Sequence, residues 1–570
     1  MIARGVGWAG GLVLFLSACT SVAPPPVTVA PAANPRAACE ALIAPILATS
    51  IGLPTRGAVI DSAMFVAASE WKPAPELLPS VPPAPDRVIV PAMPAHCEVT
   101  GVVSPVDANA PPIRFQVNLP NEWNGRLLQL GGGGFNGVLV TGLALPPDAR
   151  IDRPSPLMRG FVTAGTDSGH ANVPGAPPQA FALNAEALEN FAHASYKKVR
   201  DVAVELVKRR YGRPPGRLYY MGSSEGGREG LTMAQRYPND YDGIFARVPV
   251  IGFVGLQLAG TRVGETQMGA GWLSPAQVKA VGDAVLAQCD TLDGLADGIV
   301  SDVESCRARV DLASLRCPNG GRGDGCLVDA QLEAVRTIHA RYELPFPVAN
   351  GLTSYPGWAW GGGEAAPGTA SAGGWTSWLT GRTPQTLPPG PGSANAWVFG
   401  SGTVRYLYMG DATADPRRFD PRRHEERVRR MSALLDSTDP NLHAFRAHGG
   451  KLVIAEHLAD YAQSPYMGIE YWRSVVARMG EPSTEEFLRL YTTPGADHIG
   501  LGAPVDVDML DVLVDWVERG RAPQDLVQVS LAPTPPFRET RSRPMCRYPG
   551  WPRYRGSGDP ERSSSFECVR

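Results

Sequence analysis

The residues best suited to chemistry in this chain are Gly222-Ser223-Ser224-Glu225-Gly226. A G-x-S-x-G run between a strand and a helix forms a tight turn that holds the serine hydroxyl out above a sheet, and its glycines let strand and helix approach closely. RLYYM (217–221) reads as that strand and residues 228–237 as that helix; the bland alternative is a glycine-rich helix start. A serine is inert at neutral pH without a base, and the base needs an orienting carboxylate. With a strand–turn–helix nucleophile the chain order is serine, acid, histidine. Downstream, Asp460 follows KLVIA (451–455) and His498 follows FLRLY (487–491), each just past the C-terminal end of an expected strand, where such sheets assemble their sites. His443, His448 and His457 compete for the base; two lie in a polar helix-like stretch and one precedes the Asp460 loop, so all three read as solvated surface histidines. Asp497 adjoins His498 directly and is badly placed to orient that ring. The expected triad is therefore Ser224, Asp460 and His498, and the chemistry is nucleophilic acyl transfer. A tetrahedral intermediate also needs two backbone donors. One is expected from Glu225, the residue after the nucleophile, and the other from the glycine run 131–134, where missing side chains let backbone reach a substrate. A phosphate cradle is the rival reading of that run, but no Lys-Ser/Thr follows it and no helix clearly opens there.

Positioning such groups requires a sheet. RLLQL (126–130), GFVTAG (160–165), RLYYM, KLVIA and FLRLY are strand-like, and residues 184–211 carry apolar positions at helical spacing until Pro214-Pro215-Gly216 stops them. Strands alternating with helices indicate a mostly parallel sheet covered on both faces. Residues 251–445 break that rhythm; they are rich in Gly and Pro and hold Trp358, Trp360, Trp375, Trp378 and Trp397. They read as a lid domain inserted between a first core segment, 36–250, and a second, 446–570. The tryptophans offer flat apolar surface to an aromatic acyl group. Of the 570 residues 44% are hydrophobic and 19% charged, which supplies ample core. The 53 lysines and arginines are outnumbered by 56 acidic residues, so no basic surplus exists to neutralise phosphates and no nucleic-acid partner is expected.

The N-terminus reads as an export signal: Arg4 precedes an apolar stretch, 6–16, too short to span a bilayer. Leu16-Ser17-Ala18-Cys19 looks like a lipobox, with ordinary cleavage after a small residue as the alternative. Residues 1–18 are then the signal and 19–35 a Pro/Ala-rich linker. The expected locations are the periplasm, the outer membrane through a lipid on Cys19, or the medium, with that lipid the only membrane contact. Besides Cys19 there are eight cysteines, an even number that suits disulfides in an oxidising compartment, and none forms a CxxC. About a hundred pairings are open to eight cysteines. Local spacing favours Cys289–Cys306 and Cys317–Cys326, Cys546–Cys568 would clip the tail, and Cys39 and Cys97 are left for each other.

The pieces GSSEGGREG (222–230), QRYP (235–238), YDGI (241–244), the glycine run with Phe135-Asn136-Gly137, PAHCEVTG (94–101) and EWNGR (122–126) resemble the tannase/feruloyl esterase family of α/β-hydrolases, over nearly the whole chain from Cys39 to Cys568. The resemblance implies an α/β-hydrolase core with a large inserted lid. It also implies a serine esterase that acts on esters of small aromatic acids through an acyl-enzyme, with the triad on Ser224, Asp460 and His498. It selects Gly134 as the second oxyanion donor. Terephthalate monoesters lead as substrates, with feruloyl or galloyl esters next. For the former it implies a lid arginine gripping the free carboxylate, for which Arg405 is the candidate, and Glu225 as a further substrate contact. The resemblance also covers CDTLDGLADGI (289–299), where family members hold a structural calcium through matching groups: the carboxylates of Asp290, Asp293 and Asp297 and the carbonyls of Leu295 and Ile299. Hard oxygen donors suit that ion, although Asp-Gly turns alone would explain the segment. One departure stands out. The family places cysteines just before the nucleophile and just after the catalytic histidine, and here those positions are Ser223 and Ile499. A non-catalytic binding module on the same fold is the competing class, and a peptidase has no specific support. The oligomeric state is not legible.

Overall fold

The computed structural model describes residues 1, 33–73, 89–361, 363–364 and 374–570. Residues 2–32, which take in the rest of the expected signal segment, Cys19 and most of the linker, lie outside them. Nine strands form one sheet: β1 Ala58–Val66, β2 His96–Val103, β3 Ile113–Pro120, β4 Arg126–Leu130, β5 Val162–Thr166, β6 Arg217–Ser223, β7 Gly243–Arg247, β8 Lys451–His457 and β9 Leu488–Thr493. Their order is β1-β2-β3-β5-β4-β6-β7-β8-β9. The first three and β5 pair antiparallel, and every pair from β5 onward is parallel.

The parallel strands are buried on both faces, which is why they read as unbroken apolar runs. Leu127, Leu218, Tyr220, Ile244, Leu452 and Ile454 point to one face. There they meet α1 (Ser195–Tyr211) and α2 (Glu225–Arg236) through Val199, Val202, Leu206 and Leu231. Leu128, Tyr219, Met221, Phe245 and Val453 point to the other, against Leu510, Leu513 and Trp516 of α3 (Met509–Arg519). The helix expected over 184–211 is continuous but contains a wider π turn at Asn190–Ala194. α2 begins directly on Ser224, three residues before the expected start. No strand from residues 251–445 joins the large sheet among the described residues; that segment is mostly helical, with one two-stranded pair, Tyr342–Glu343 and Ser354–Tyr355. Two hairpins close the chain: β10 (Leu526–Leu531) with β11 (Glu539–Met545), and β12 (Trp551–Tyr554) with β13 (Phe566–Val569).

The antiparallel strands β1–β3 and the short β7 are absent from the sequence reading. β3 carries buried Gln116 and Asn118, which bond each other, and β7 is five residues long and ends on an arginine. All four expected disulfides are formed. Such bonds persist in oxidising surroundings, and the protein is an exported one.

Candidate active site

The serine turn is built by close approach. A Cβ on Gly222 would sit 2.3 Å from the Gly226 carbonyl oxygen, and one on Gly226 would sit 2.6 Å from the carbonyl oxygen of Gly132. Only glycine fits at either place. Ser224 itself has φ 59° and ψ −119°, a conformation that costs a non-glycine residue about 1–3 kcal/mol and persists only where its surroundings dictate it. They do: its N–H donates to the Arg247 carbonyl at 3.0 Å, and its own carbonyl accepts from Arg228 and Val250 at 3.1 and 3.2 Å. The hydroxyl thus stands at the N-terminus of α2, whose free N–H groups favour developing negative charge.

The base and its orienter meet as expected. His498 Nδ1 lies 2.7 Å from Asp460 Oδ2, and Asp460 Oδ1 accepts from the N–H groups of Ala462 and Gln463 at 2.7 and 3.1 Å. Both acid oxygens are therefore engaged, and the ring is fixed with Nε2 left for the substrate side. Asp497 does not orient the ring; its Oδ1 accepts from the N–H groups of Ile499 and Leu501 at 3.0 and 2.8 Å and so shapes the loop. His443 and His448 are exposed, in keeping with the sequence reading. His457 is not: it ends β8, which runs two residues beyond KLVIA, and its side chain is 0% exposed.

Ser224, His498 and Gly134 line one cavity of about 600 Å³, together with Trp378 and Phe399. Gly134 and Ser224 also share a smaller adjoining cavity with Glu225, Phe253 and Gln463. Gly134 has φ +58°, and a Cβ there would meet no atom within 4 Å, so its backbone is open to a ligand. The glycine loop is held from beneath by Glu229, a buried residue of α2 that sequence reasoning passed over. Its carboxylate accepts from the Gly132 N–H at 3.2 Å and from Asn136 Nδ2 at 2.6 Å. The match of Glu229 to the serine helix was visible in GSSEGGREG, but nothing in the pattern said what it holds.

A serine on a strained turn, a histidine fixed by a buried acid and a glycine loop facing both is the equipment of acyl transfer. The family model for tannase and feruloyl esterase matches residues 97–569. This chain belongs to the tannase and feruloyl esterase family. It is 37% identical over 96% of each chain to an uncharacterized esterase of Agrobacterium fabrum. It is 32% identical over 89% of each chain to the mono(2-hydroxyethyl) terephthalate hydrolase of Piscinibacter sakaiensis. The crystal structure of an esterase from Aspergillus oryzae superposes with a TM-score of 0.74 at 24% identity, covering 94% of this chain and all of the other, which shows the shared α/β-hydrolase fold. The protein is a carboxylic ester hydrolase.

Three expectations, two drawn from the tannase/feruloyl esterase pattern and one from the tryptophans of the insertion, meet a different geometry. Arg405 lines neither cavity; it lies in a π-helical segment, Val404–Met409, and its guanidinium donates to the Ala412 carbonyl. The Glu225 carboxylate faces inward onto Arg228, which is 0% exposed. Burial, with Glu229 nearby, pushes the Glu225 carboxyl up to about 7 against the pull of Arg228. Of the five tryptophans singled out in the lid segment only Trp378 lines the cavity; Trp358, Trp375 and Trp397 are core residues and Trp360 stacks on His339. Their partners in the wall are instead Phe399 and Phe253, which no spacing singled out.

The aspartates of loop 290–299 are present as a hard-oxygen donor set, chemically suited to calcium. Among the described residues no three acidic, histidine or cysteine side chains converge as a metal cluster. Asp290 Oδ1 accepts from the N–H groups of Asp297 and Gly298, and Asp297 Oδ2 receives Arg541 and Arg543, both at 2.7 Å. Burial first, then the charges of Asp297 and Asp290, raise Asp293 to about 6; a cation would relieve that crowding.

Proposed function

We propose that the protein hydrolyses esters of small aromatic carboxylic acids, with Ser224 as nucleophile, His498 as general base and then acid, and Asp460 as the orienter. The observation that carries this reading is the wall beside the reacting groups: the Trp378 ring lies 5.8 Å from the His498 ring and 5.8 Å from that of Phe399. Ser224 Oγ loses its proton to His498 as it attacks the ester carbonyl. The oxyanion is held by the N–H groups of Glu225 and Gly134. His498 then hands the proton to the departing alkoxide, and water repeats the sequence to release the acid.

Within that class, phenolic acyl groups of the hydroxycinnamate or gallate kind rank ahead of terephthalate monoesters. Arg405 lies outside the cavity, and Arg247 in its wall is already paired with Asp148, so among the described residues a free carboxylate on the substrate meets no unpaired arginine or lysine. Gln463, in the smaller cavity, has a buried side-chain carbonyl without a hydrogen-bond partner, an acceptor for a phenolic hydroxyl. A panel of ferulate, gallate, hydroxyethyl terephthalate and aliphatic esters, compared by kcat/KM, tests both levels. Preference for the aliphatic esters overturns the aromatic reading, and preference for the terephthalate ester overturns the ranking.

We further propose that loop 290–299 holds a structural calcium through Asp290, Asp293, Asp297 and the carbonyls of Leu295 and Ile299, and that Cys19 carries a lipid anchor. Loss of membrane partitioning in a Cys19→Ala variant checks the anchor.

A further inference from the structure

Three charged or titratable side chains in the core are not used by the chemistry above, and they lie end to end between its two loops. Arg247, the last residue of β7, donates from Nη1 to Ser223 Oγ at 2.8 Å. Its Nε lies 2.7 Å from Asp148 Oδ1, and Asp148 Oδ2 lies 3.4 Å from His457 Nε2. His457 Nδ1 is 2.7 Å from the Asp497 carbonyl oxygen. One end of this chain is the residue before the nucleophile; the other is the residue before the base. The three side chains are 7%, 3% and 0% exposed.

Buried charges cost stability unless each is compensated, and apolar residues of similar volume commonly do the packing at lower cost. What such a chain offers beyond packing is a fixed distance. Asp148 is itself held in place: its backbone has φ 55° and its carbonyl accepts from the Val507 N–H at 2.8 Å. Burial opposes its ionisation, yet Arg247 and His457 keep its carboxyl below the usual value. Ser223 and Ile499, which flank the serine and the histidine, carry no covalent link.

We propose that Arg247, Asp148 and His457 form a buried polar bridge that sets the spacing between the serine turn and the histidine loop, acting as positioning residues for acyl transfer. The bridge rests on Ser224 and His498 being the reacting pair, so the experiment separates the two ideas. kcat and KM are measured on one aryl ester for Ser224→Ala, Arg247→Ala, Arg247→Lys, Ser223→Ala and the Ser223→Ala/Arg247→Ala pair, with folding checked by circular dichroism. Misplacing a reacting group by about 1 Å costs roughly 100-fold in rate. Arg247→Ala is therefore expected to lower kcat by about that factor with KM nearly unchanged, and Arg247→Lys to recover part of it. The double variant is expected to lose no more than Arg247→Ala alone, since both changes cut one connection. Full activity in Ser224→Ala overturns the reading of the site. An inactive Ser224→Ala beside a folded Arg247→Ala with wild-type kcat overturns the bridge. So does a raised KM at constant kcat, which makes Arg247 a substrate contact, or losses that multiply in the double variant. If Arg247→Ala does not fold, Ser223→Ala against His457→Asn carries the same comparison.

Discussion

A hydroxyl and an imidazole react together only when a third group fixes the imidazole, and here Asp460 does so with both oxygens engaged. Ser224→Ala is expected to abolish turnover with circular dichroism unchanged, since it removes one oxygen at a turn whose hydrogen bonds are all backbone. Asp460→Asn is expected to lower kcat by about 10³–10⁴-fold, because an amide favours the wrong ring tautomer; a loss under tenfold would remove Asp460 from the triad. A different histidine contributes to acid stability, beside His193 and His339, which burial lowers further. His170, 4% exposed, holds its Nε2 at 2.9 Å from the Phe135 carbonyl oxygen. Burial lowers it to about 4, with that hydrogen bond pulling the other way. Between pH 6.5 and 4 the unfolded chain binds a proton there that the native state refuses, so its contribution is present above pH 6.5 and is lost as pH falls. The slope is about 1.4 kcal/mol per pH unit. Denaturation of His170→Gln across that window is expected to show a slope shallower by one proton, and an unchanged slope would contradict the assignment.

At the scale of elements, the site is two loops pressed together without side chains between them. Gly226→Ala places a methyl 2.6 Å from the Gly132 carbonyl oxygen, with Gly131 backbone at 3.0 and 3.2 Å. Neither neighbour is a flexible side chain, so β6–α2 and the glycine loop must part. The expected outcome is a kcat lower by about 100-fold or more and a Tm lower by several degrees, read by initial rates and thermal melts; wild-type kcat would mean that the glycine loop supplies no oxyanion donor. Close contacts of this kind are legible in a sequence because only glycine tolerates them, and the parallel strands are legible because burial on both faces leaves unbroken apolar runs. β1–β3 were not: β1 exposes apolar Val59 and Met64, so its sequence does not alternate, and β3 includes hydrogen-bonded Gln and Asn. The Asp460–His498 pair and the cavity it shares with Ser224 were legible from order and strand ends. The cavity wall was not, since Trp378 and Phe399 sit on helices of five and nine residues and Phe253 is the first residue of a longer one, in an irregular insertion whose spacing does not show which face is inward. His457 was misread for a related reason: a polar residue continuing a buried strand looks like the start of a loop.

For the whole molecule, calcium would act by tying distant segments together. Loop 290–299 leaves α-helical Cys289, which is bonded to Cys306, and docks on β11 through Asp297 with Arg541 and Arg543. Ile299 then packs with Ala496, Ala503 and Val505 under the loop that carries His498, close enough that a Cβ on Gly495 would lie 2.9 Å from it. An ion bound only by the native state stabilises it by about 3 kcal/mol at a hundredfold excess over its dissociation constant. In a domain of this size or larger that corresponds to a Tm shift of about 2–4 °C. Chelation is therefore expected to lower Tm by that amount, and added calcium to restore it. Asp293→Asn should be less stable and blind to both treatments. Room-temperature kcat should fall little on chelation, since His498 keeps Asp460. Unchanged melting with and without chelator, and no calcium in elemental analysis of the purified protein, would leave loop 290–299 as a set of aspartate turns held by its arginines.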